Sequence, residues 1–378
     1  MKSKIEQIQK SKRLASIDAF RGATIAGMIV VINPGSWKYI YPPLRHASWH
    51  GLTLADLVFP FFLFIVGVSI VFSFSKTKEL KLSQKNIYLK IVKRTILLFL
   101  IGLFINSFPD FDLINIRIMG VLQRIALCYL IVSIIYLNTK IQTQIILSIL
   151  FLFIYWAIME WIYVPEIGYG IYESGKNAAI YLDRFILSGH MGYYEKMGEP
   201  EGLISTIPSI STTLFGLCVG YFLKNKKSDK NALVTLISFG IVGIILGLIW
   251  SMWLPINKNL WTSSYVLLTV GLALIVYSIL YYLVEILNYK NIFKPFIVFG
   301  MNAITVYVLS IVVAKLINLP KFISNDGNSY HVKALFYKEI LAPIFGNYNA
   351  SIVYAFLYMS VWCGLMWILY HKKIFIKI

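Results

Sequence analysis

Residues 44–60 read Leu44-Arg45-His46-Ala47-Ser48-Trp49-His50-Gly51-Leu52-Thr53-Leu54-Ala55-Asp56-Leu57-Val58-Phe59-Pro60, and the apolar run continues to residue 74. A polar loop with two histidines thus passes without a break into an apolar helix. The run over 56–74 has the length, roughly 20 residues, that a helix needs to cross the hydrocarbon core of a bilayer. Comparable runs lie near 18–33, 91–107, 118–137, 144–164, 203–223, 231–252, 262–287, 295–318 and 349–370. Each is separated from the next by a polar cluster, as transmembrane helices are. Only 14% of the 378 residues are charged and 58% are hydrophobic, where a soluble domain carries about 25% charged residues. The predicted fold class is all-α: a polytopic integral membrane protein of about ten transmembrane helices, forming one domain over residues 1–378.

Charge sets the expected orientation. Of the 35 Lys and Arg, 22 fall in residues 1–17, 76–94, 138–143, 224–230, 288–294 and 371–378. The alternate connections, 34–55, 108–117, 165–202, 253–261 and 315–347, hold 11. Basic residues concentrate on the cytoplasmic side of membrane proteins, so both termini are expected there. The net charge of +18 is therefore a topology signal that also meets anionic lipid. No nucleic-acid-binding motif interleaves with it, and no nucleic-acid partner is expected. The first 17 residues carry Lys2, Lys4, Lys10, Lys12 and Arg13 but no apolar h-region or small-residue cleavage site, so no cleaved signal peptide is expected. Cys128, Cys218 and Cys363 lie inside predicted spans, far apart in sequence. They read as small apolar residues, and no metal site is expected.

Polar residues at the mouths of spans mark candidate chemistry. His46 shares its loop with Ser48, His50, Thr53 and Asp56. His46 and Asp56 are ten residues apart, more than one helical turn, so the loop must fold back if the two are to pair. Such a pair would orient the imidazole and raise its basicity. Asn33-Pro34-Gly35 reads equally as a helix stop and as a source of an amide for substrate or an oxyanion. Asp18 and Arg21, at i and i+3, suit an ion pair at the start of the first span. Arg124 lies inside the fourth span and needs a partner: Glu160 or Asp56 for a structural pair, a phosphate or pantetheine for a functional one. Glu201-Gly202-Leu203-Ile204-Ser205-Thr206-Ile207-Pro208-Ser209 opens a hydroxyl-rich helix suited either to a wet cavity or to helix contacts. Pro255-Ile256-Asn257-Lys258-Asn259-Leu260-Trp261-Thr262 forms a turn, and Gly300-Met301-Asn302 places an amide within the ninth span. Together these suggest a polar track between the two membrane faces. The long segments 165–202 and 319–347 are expected to cover or shape a site.

At these blocks the chain resembles the transmembrane acetyltransferase family typified by heparan-alpha-glucosaminide N-acetyltransferase. The resemblance rests on Ser16-Ile17-Asp18-Ala19-Phe20-Arg21-Gly22, the His46–Pro60 block, Glu201–Ile207, Asn257-Lys258-Asn259-Leu260-Trp261-Thr262-Ser263-Ser264-Tyr265 and Gly300-Met301-Asn302-Ala303. It spans nearly the whole chain, without the lumenal N-terminal portion of the animal enzyme. The resemblance implies transfer of an acetyl group from cytosolic acetyl-CoA, as co-substrate, to a glucosamine amine across the membrane. It implies His46 as the catalytic histidine, with Asp56 and Asn33 in the active site. Arg124, Asn302, Lys258 and Ser205 are the expected acetyl-CoA contacts, because phosphate needs positive charge and polar donors in an apolar protein. Trp49, His50, Glu201, Asn259 and Trp261 are the expected contacts of the amino-sugar acceptor. His50 departs from the family pattern, where the animal enzyme has Asn.

In that reading a neutral His46 removes a proton from the acceptor ammonium, or else carries the acetyl group covalently. The expected setting is a bacterial inner membrane, with the bilayer, acetyl-CoA and an amino sugar as partners and a homodimer as the expected assembly. A rival reading is an amino-sugar or muropeptide transporter using the same polar track. Against it stands the lack of duplicated halves or matched broken helices in the sequence.

Overall fold

The computed structural model describes residues 14–79, 83–225, 230–323 and 328–376. Its long helices are α1 Ala15–Ile32, α2 Leu54–Glu79, α3 Gln84–Ser107, α4 Val121–Asn138 and α5 Ile141–Trp161. A short helix, α6 Ala178–Leu187, precedes α7 Leu203–Asn225, α8 Lys230–Trp250 and α9 Ser263–Tyr281. The chain ends with α10 Lys294–Met301, α11 Ala303–Ile317 and α12 Asn347–His371. The only paired strands among the described residues are Lys321–Ile323 and Ser329–His331, a small antiparallel ribbon in the long segment before α12.

Eight of these helices, α1, α2, α4, α5, α7, α8, α9 and α12, are long and apolar enough to cross a membrane. The pair α10 and α11 passes that test jointly but bends by 82° at Asn302. The protein is thus an all-α polytopic membrane protein with eight or nine candidate spans among the described residues, where the sequence suggests about ten. The difference is α3. It carries Lys85, Lys90, Lys93 and Arg94 in its first half, leaving about 13 uncharged residues, or about 20 Å of helix, beyond Arg94.

Burial sorts the bundle into an inner set and an outer set. In α1 and α7, 67% of the spanning window is buried, against 22% in α5, α8 and α12. The inner helices approach closely because glycines meet the neighbouring backbone. A Cβ on Gly67 of α2 would sit 1.9 Å from the Thr213 carbonyl oxygen of α7, and one on Gly216 would sit 2.0 Å from that of Phe64. Small residues at such crossings are how membrane helices maximise van der Waals contact. Gly67→Ala is accordingly expected to cost about 1–3 kcal/mol through overpacking. Gly364 of α12, where an added Cβ meets nothing within 4 Å, is the control: Gly364→Ala leaves the unfolding temperature in detergent unchanged.

The hydroxyl-rich start of α7 also finds its explanation in packing. Thr206, Ser209 and Thr213 are buried, and each donates to the carbonyl four residues back in its own helix. These hydroxyls are thus satisfied by the backbone of α7 itself.

Candidate functional site

The start of α2 builds the site. Thr53 precedes the helix and Asp56 lies in its first turn, an arrangement that uses a carboxylate to satisfy the free amides of a helix N-terminus. Asp56 Oδ2 accepts from the Thr53 amide at 3.0 Å, the Thr53 hydroxyl at 3.0 Å and the Ala47 amide at 3.1 Å. These bonds fold the loop back on itself and bring His46 Nδ1 to 2.8 Å from Asp56 Oδ1. An ionised carboxylate only accepts, so Nδ1 of a neutral His46 carries the proton and Nε2 carries the lone pair. Asp56 is 1% exposed, while the His46 side chain is 44% exposed. The pair therefore has a fixed inner member and an accessible outer one.

Lys258 completes the group from the far end of the sequence. Its Nζ lies 3.2 Å from His46 Nε2, 3.0 Å from Nδ1 and 3.6 Å from Asp56 Oδ1. The turn that presents it is tightly bonded. Thr262 Oγ1 donates to the Pro255 carbonyl at 2.9 Å and receives the Asn257 amide at 3.1 Å, while Asn257 Oδ1 accepts from the Leu260 amide at 2.9 Å. The turn is pinned to the histidine loop by Gly51 N donating to Ile256 O at 2.8 Å. Tyr265 of α9 donates its hydroxyl to the Asp56 carbonyl at 2.6 Å. Burial lowers the pKa of the Lys258 ammonium, opposed by the nearby Asp56 and Glu201 carboxylates. Burial also lowers the pKa of His50, whose Nδ1 faces Asn257 Nδ2 at 3.4 Å.

Segment 165–202 closes one side of this group. Trp49 Nε1 donates to the Tyr172 carbonyl at 2.8 Å. Trp49, Asn259, Ser205, Asp183 and Glu199 line a small cavity of about 10 Å³, room for about one water. Asp183 receives the Leu203 and Ile204 amides at the start of α7, and burial pushes its carboxyl up to about 6. Glu199 and Glu201 both pair with Arg117, whose guanidinium packs 4.6 Å from the Tyr194 ring centre. Glu201, expected to meet the acceptor, is thus engaged in an internal ion pair. Arg117→Ala is expected to cost about 3–5 kcal/mol, because it leaves buried Glu199 uncompensated; a thermal melt in detergent measures it.

Other expected residues sit differently from the sequence reading. Arg124 pairs with neither Glu160 nor Asp56. Its Nη2 donates to Ser205 Oγ and to the Gly202 carbonyl, and its guanidinium lies 5.0 Å from the Trp261 ring. Among the described residues, Arg124 Nε and Nη1 are buried with no hydrogen-bond partner. Trp261, expected as an acceptor contact, is 1% exposed and donates to Thr212 Oγ1, which leaves it no surface for a sugar. Asn33 terminates α1, and its Nδ2 donates to Ile29 O at 3.0 Å, as a helix stop would. Asn302 lies at the break between α10 and α11, with its amide bonded to Ile374 O and Ile376 N. Lys258, expected on acetyl-CoA, lies beside His46.

A second site occupies the end of the bundle where α1 begins. A cavity of about 310 Å³ is lined by Arg21, Ser69, Ser73, Arg94, Tyr129 and Asn302, among others. Arg21 reaches Asp18 at 3.1 Å, Ser69 Oγ at 2.6 Å and the Gly300 carbonyl at 3.2 Å. Arg94 lies over the Tyr129 ring at 4.7 Å, with its Nε buried and without a partner among the described residues. Along α2 the lining runs from Ser73 up to Phe62, six residues and about 9 Å short of Asp56. Arg124 lies five residues, about 8 Å, along α4 from Tyr129. The sequence pointed to Arg21 only as an ion pair and did not single out Arg94, Arg117, Glu199 or Asp183. Their common signal is a charge that burial forces to find a partner.

Comparison with known proteins supports one family. The family profile described as heparan-alpha-glucosaminide N-acetyltransferase, catalytic, matches residues 13–247. The chain is 31% identical to the human heparan-alpha-glucosaminide N-acetyltransferase over 97% of its own length and 60% of that protein. It is 32% identical to the mouse protein of the same name over 79% of this chain and 53% of that protein. The chain thus spans between half and three-fifths of the length of these relatives. With the match covering more than half of its residues, the protein belongs to the heparan-alpha-glucosaminide N-acetyltransferase catalytic family.

Proposed function

We propose that this protein is a transmembrane N-acetyltransferase that moves an acetyl group from acetyl-CoA on the cytoplasmic side to the amine of a glucosamine-type sugar on the other side. The single observation that carries the reading is the His46–Asp56 pair at 2.8 Å with Lys258 against the same imidazole. A thioester is already activated, whereas an amine at neutral pH must lose a proton before it attacks. His46 Nε2 takes that proton, and Asp56 holds the tautomer that keeps the Nε2 lone pair unprotonated, with Lys258 Nζ beside it at 3.2 Å. The imidazolium passes that first proton to solvent; as the N–C bond forms and the C–S bond breaks, the neutral imidazole takes the second proton from the amine nitrogen and hands it to the leaving thiolate, so one proton is released per turnover. Lys258 stands where a cation can stabilise the developing oxyanion. That is the role expected of Asn33, whose amide is engaged with Ile29.

The cavity at the α1 end supports acetyl-CoA entry from the side of the charge-rich segments. Arg21 and Arg94 supply positive charge for phosphates. Arg124, between that cavity and His46, offers two unpartnered nitrogens to polar atoms of a pantetheine arm. With the N-terminus cytoplasmic, His46, one span later, faces the opposite compartment, which for a bacterial inner membrane is the periplasm. Arg94→Gln is expected to raise the acetyl-CoA dissociation constant about 10-fold, the loss of one charge-assisted contact. Isothermal titration of detergent-purified protein measures it. The activity itself is tested with radiolabelled acetyl-CoA and a panel of amino sugars. Labelled N-acetyl sugar is the expected product, and a folded protein that labels none of them refutes the reading.

A further inference from the structure

A third cavity lies on the outside of the bundle, between α1, α10 and α12, and has no part in the chemistry above. Its volume is about 400 Å³, within the range of ligand pockets. It is lined by Ala26, Pro295, Phe296, Met359, Cys363 and Trp367. Gly364 also lines it, and an added Cβ there would meet nothing within 4 Å. At the end of the groove, Lys294 Nζ lies 5.4 Å from the Trp367 ring centre and 5.7 Å from that of Tyr370. The His371 ring is 5.9 Å from Trp367, and Lys372 and Lys373 follow in the chain. One residue, Trp367, therefore joins an apolar groove to a cationic rim.

We propose that this groove is a binding site for an anionic phospholipid, with an acyl chain along Gly364 and the phosphate at Lys294. Three observations select this occupant. The groove opens on α12, a helix whose spanning window is only 22% buried, so hydrocarbon chains reach it. Trp367 and Tyr370 are the residue types that settle at headgroup level. The rim charge is complementary to a phosphate, and the rim lies at the end of the bundle where α1 begins, since Gly300 of α10 packs against Asp18. Basic residues near a membrane surface select anionic over neutral lipid, each by about five-fold.

Native mass spectrometry of the detergent-purified full chain, titrated with equal amounts of phosphatidylglycerol and phosphatidylcholine, tests the site. The wild type is expected to retain phosphatidylglycerol preferentially. Lys294→Gln should lower the glycerol-to-choline occupancy ratio about five-fold, and Gly364→Phe should fill the groove and remove the tightest-bound lipid of either kind. A thermal melt of each variant establishes that it is folded. Equal retention of both lipids by the wild type overturns the proposal, as does unchanged lipid binding in folded Gly364→Phe. A shift of that variant from dimer to monomer without change in lipid occupancy also overturns it, because the groove would then seat a second copy of the chain.

Discussion

His46→Ala is expected to lower acetyl transfer by at least 10²–10⁴-fold, the usual contribution of a general base, while leaving acetyl-CoA affinity unchanged. The asymmetry follows from position. His46 is the exposed member of its pair, whereas the cationic cavity that suits the nucleotide lies along α2 toward its other end. Initial rates with saturating glucosamine and a separate acetyl-CoA titration read the two quantities independently. A loss far beyond that range, with an acetylated protein trapped in the wild type, favours an acetyl-imidazole intermediate. Retained turnover in His46→Ala together with loss in His50→Ala transfers the role to His50. His50→Asn, which installs the residue of the animal enzyme, is expected to remain active.

Asp56→Asn should be nearly as damaging, by up to about 10⁴-fold, for a different reason. An asparagine amide at Oδ1's position can donate to Nδ1, which moves the imidazole proton to Nε2 and removes the lone pair that accepts from the substrate; the same substitution in a serine-protease triad has this effect. In that orientation the amide oxygen stands at Oδ2 and still accepts from Thr53 and Ala47, only more weakly than a carboxylate does, so the variant inverts the tautomer and slightly loosens the loop. Asp56→Glu separates the two effects. It keeps an acceptor, and any recovery of rate relative to Asp56→Asn belongs to the tautomer. The pH–rate profile is the second readout, since a purely structural loss scales the profile without moving it.

Much of the architecture was legible because it depends on local pattern. Apolar runs of bilayer length identify α1, α2, α4, α5, α7, α8, α9 and α12 directly, and the loop before α2 announces its own chemistry through residue type. The bend at Asn302 was not legible. No proline marks it, and the Asn302 amide at the break is bonded to backbone more than 70 residues away, near residue 375. Lys258 reads from the sequence as an acetyl-CoA contact, but its place beside His46 was not legible for the same reason: 212 residues separate the two, and only the packing of the 255–262 turn on the histidine loop unites them. Trp261 reads from its place in the turn as a sugar platform, whereas the structure buries it against Arg124 and Thr212, a packing that residue type alone does not announce. Arg117, Glu199 and Asp183 lie in polar connections where charge is ordinary, and only their burial makes them exceptional.

The most direct test of the account is transfer across a sealed bilayer. Proteoliposomes with glucosamine trapped inside are given radiolabelled acetyl-CoA outside, with the protein population exposing its N-terminal side outward selected by labelling of a cysteine at position 85, at the exposed start of α3. The account predicts labelled N-acetylglucosamine in the lumen, its formation abolished by His46→Ala. Sugar crossing the membrane unmodified, with no label transferred by well-folded protein, would contradict the account and establish the transporter in its place.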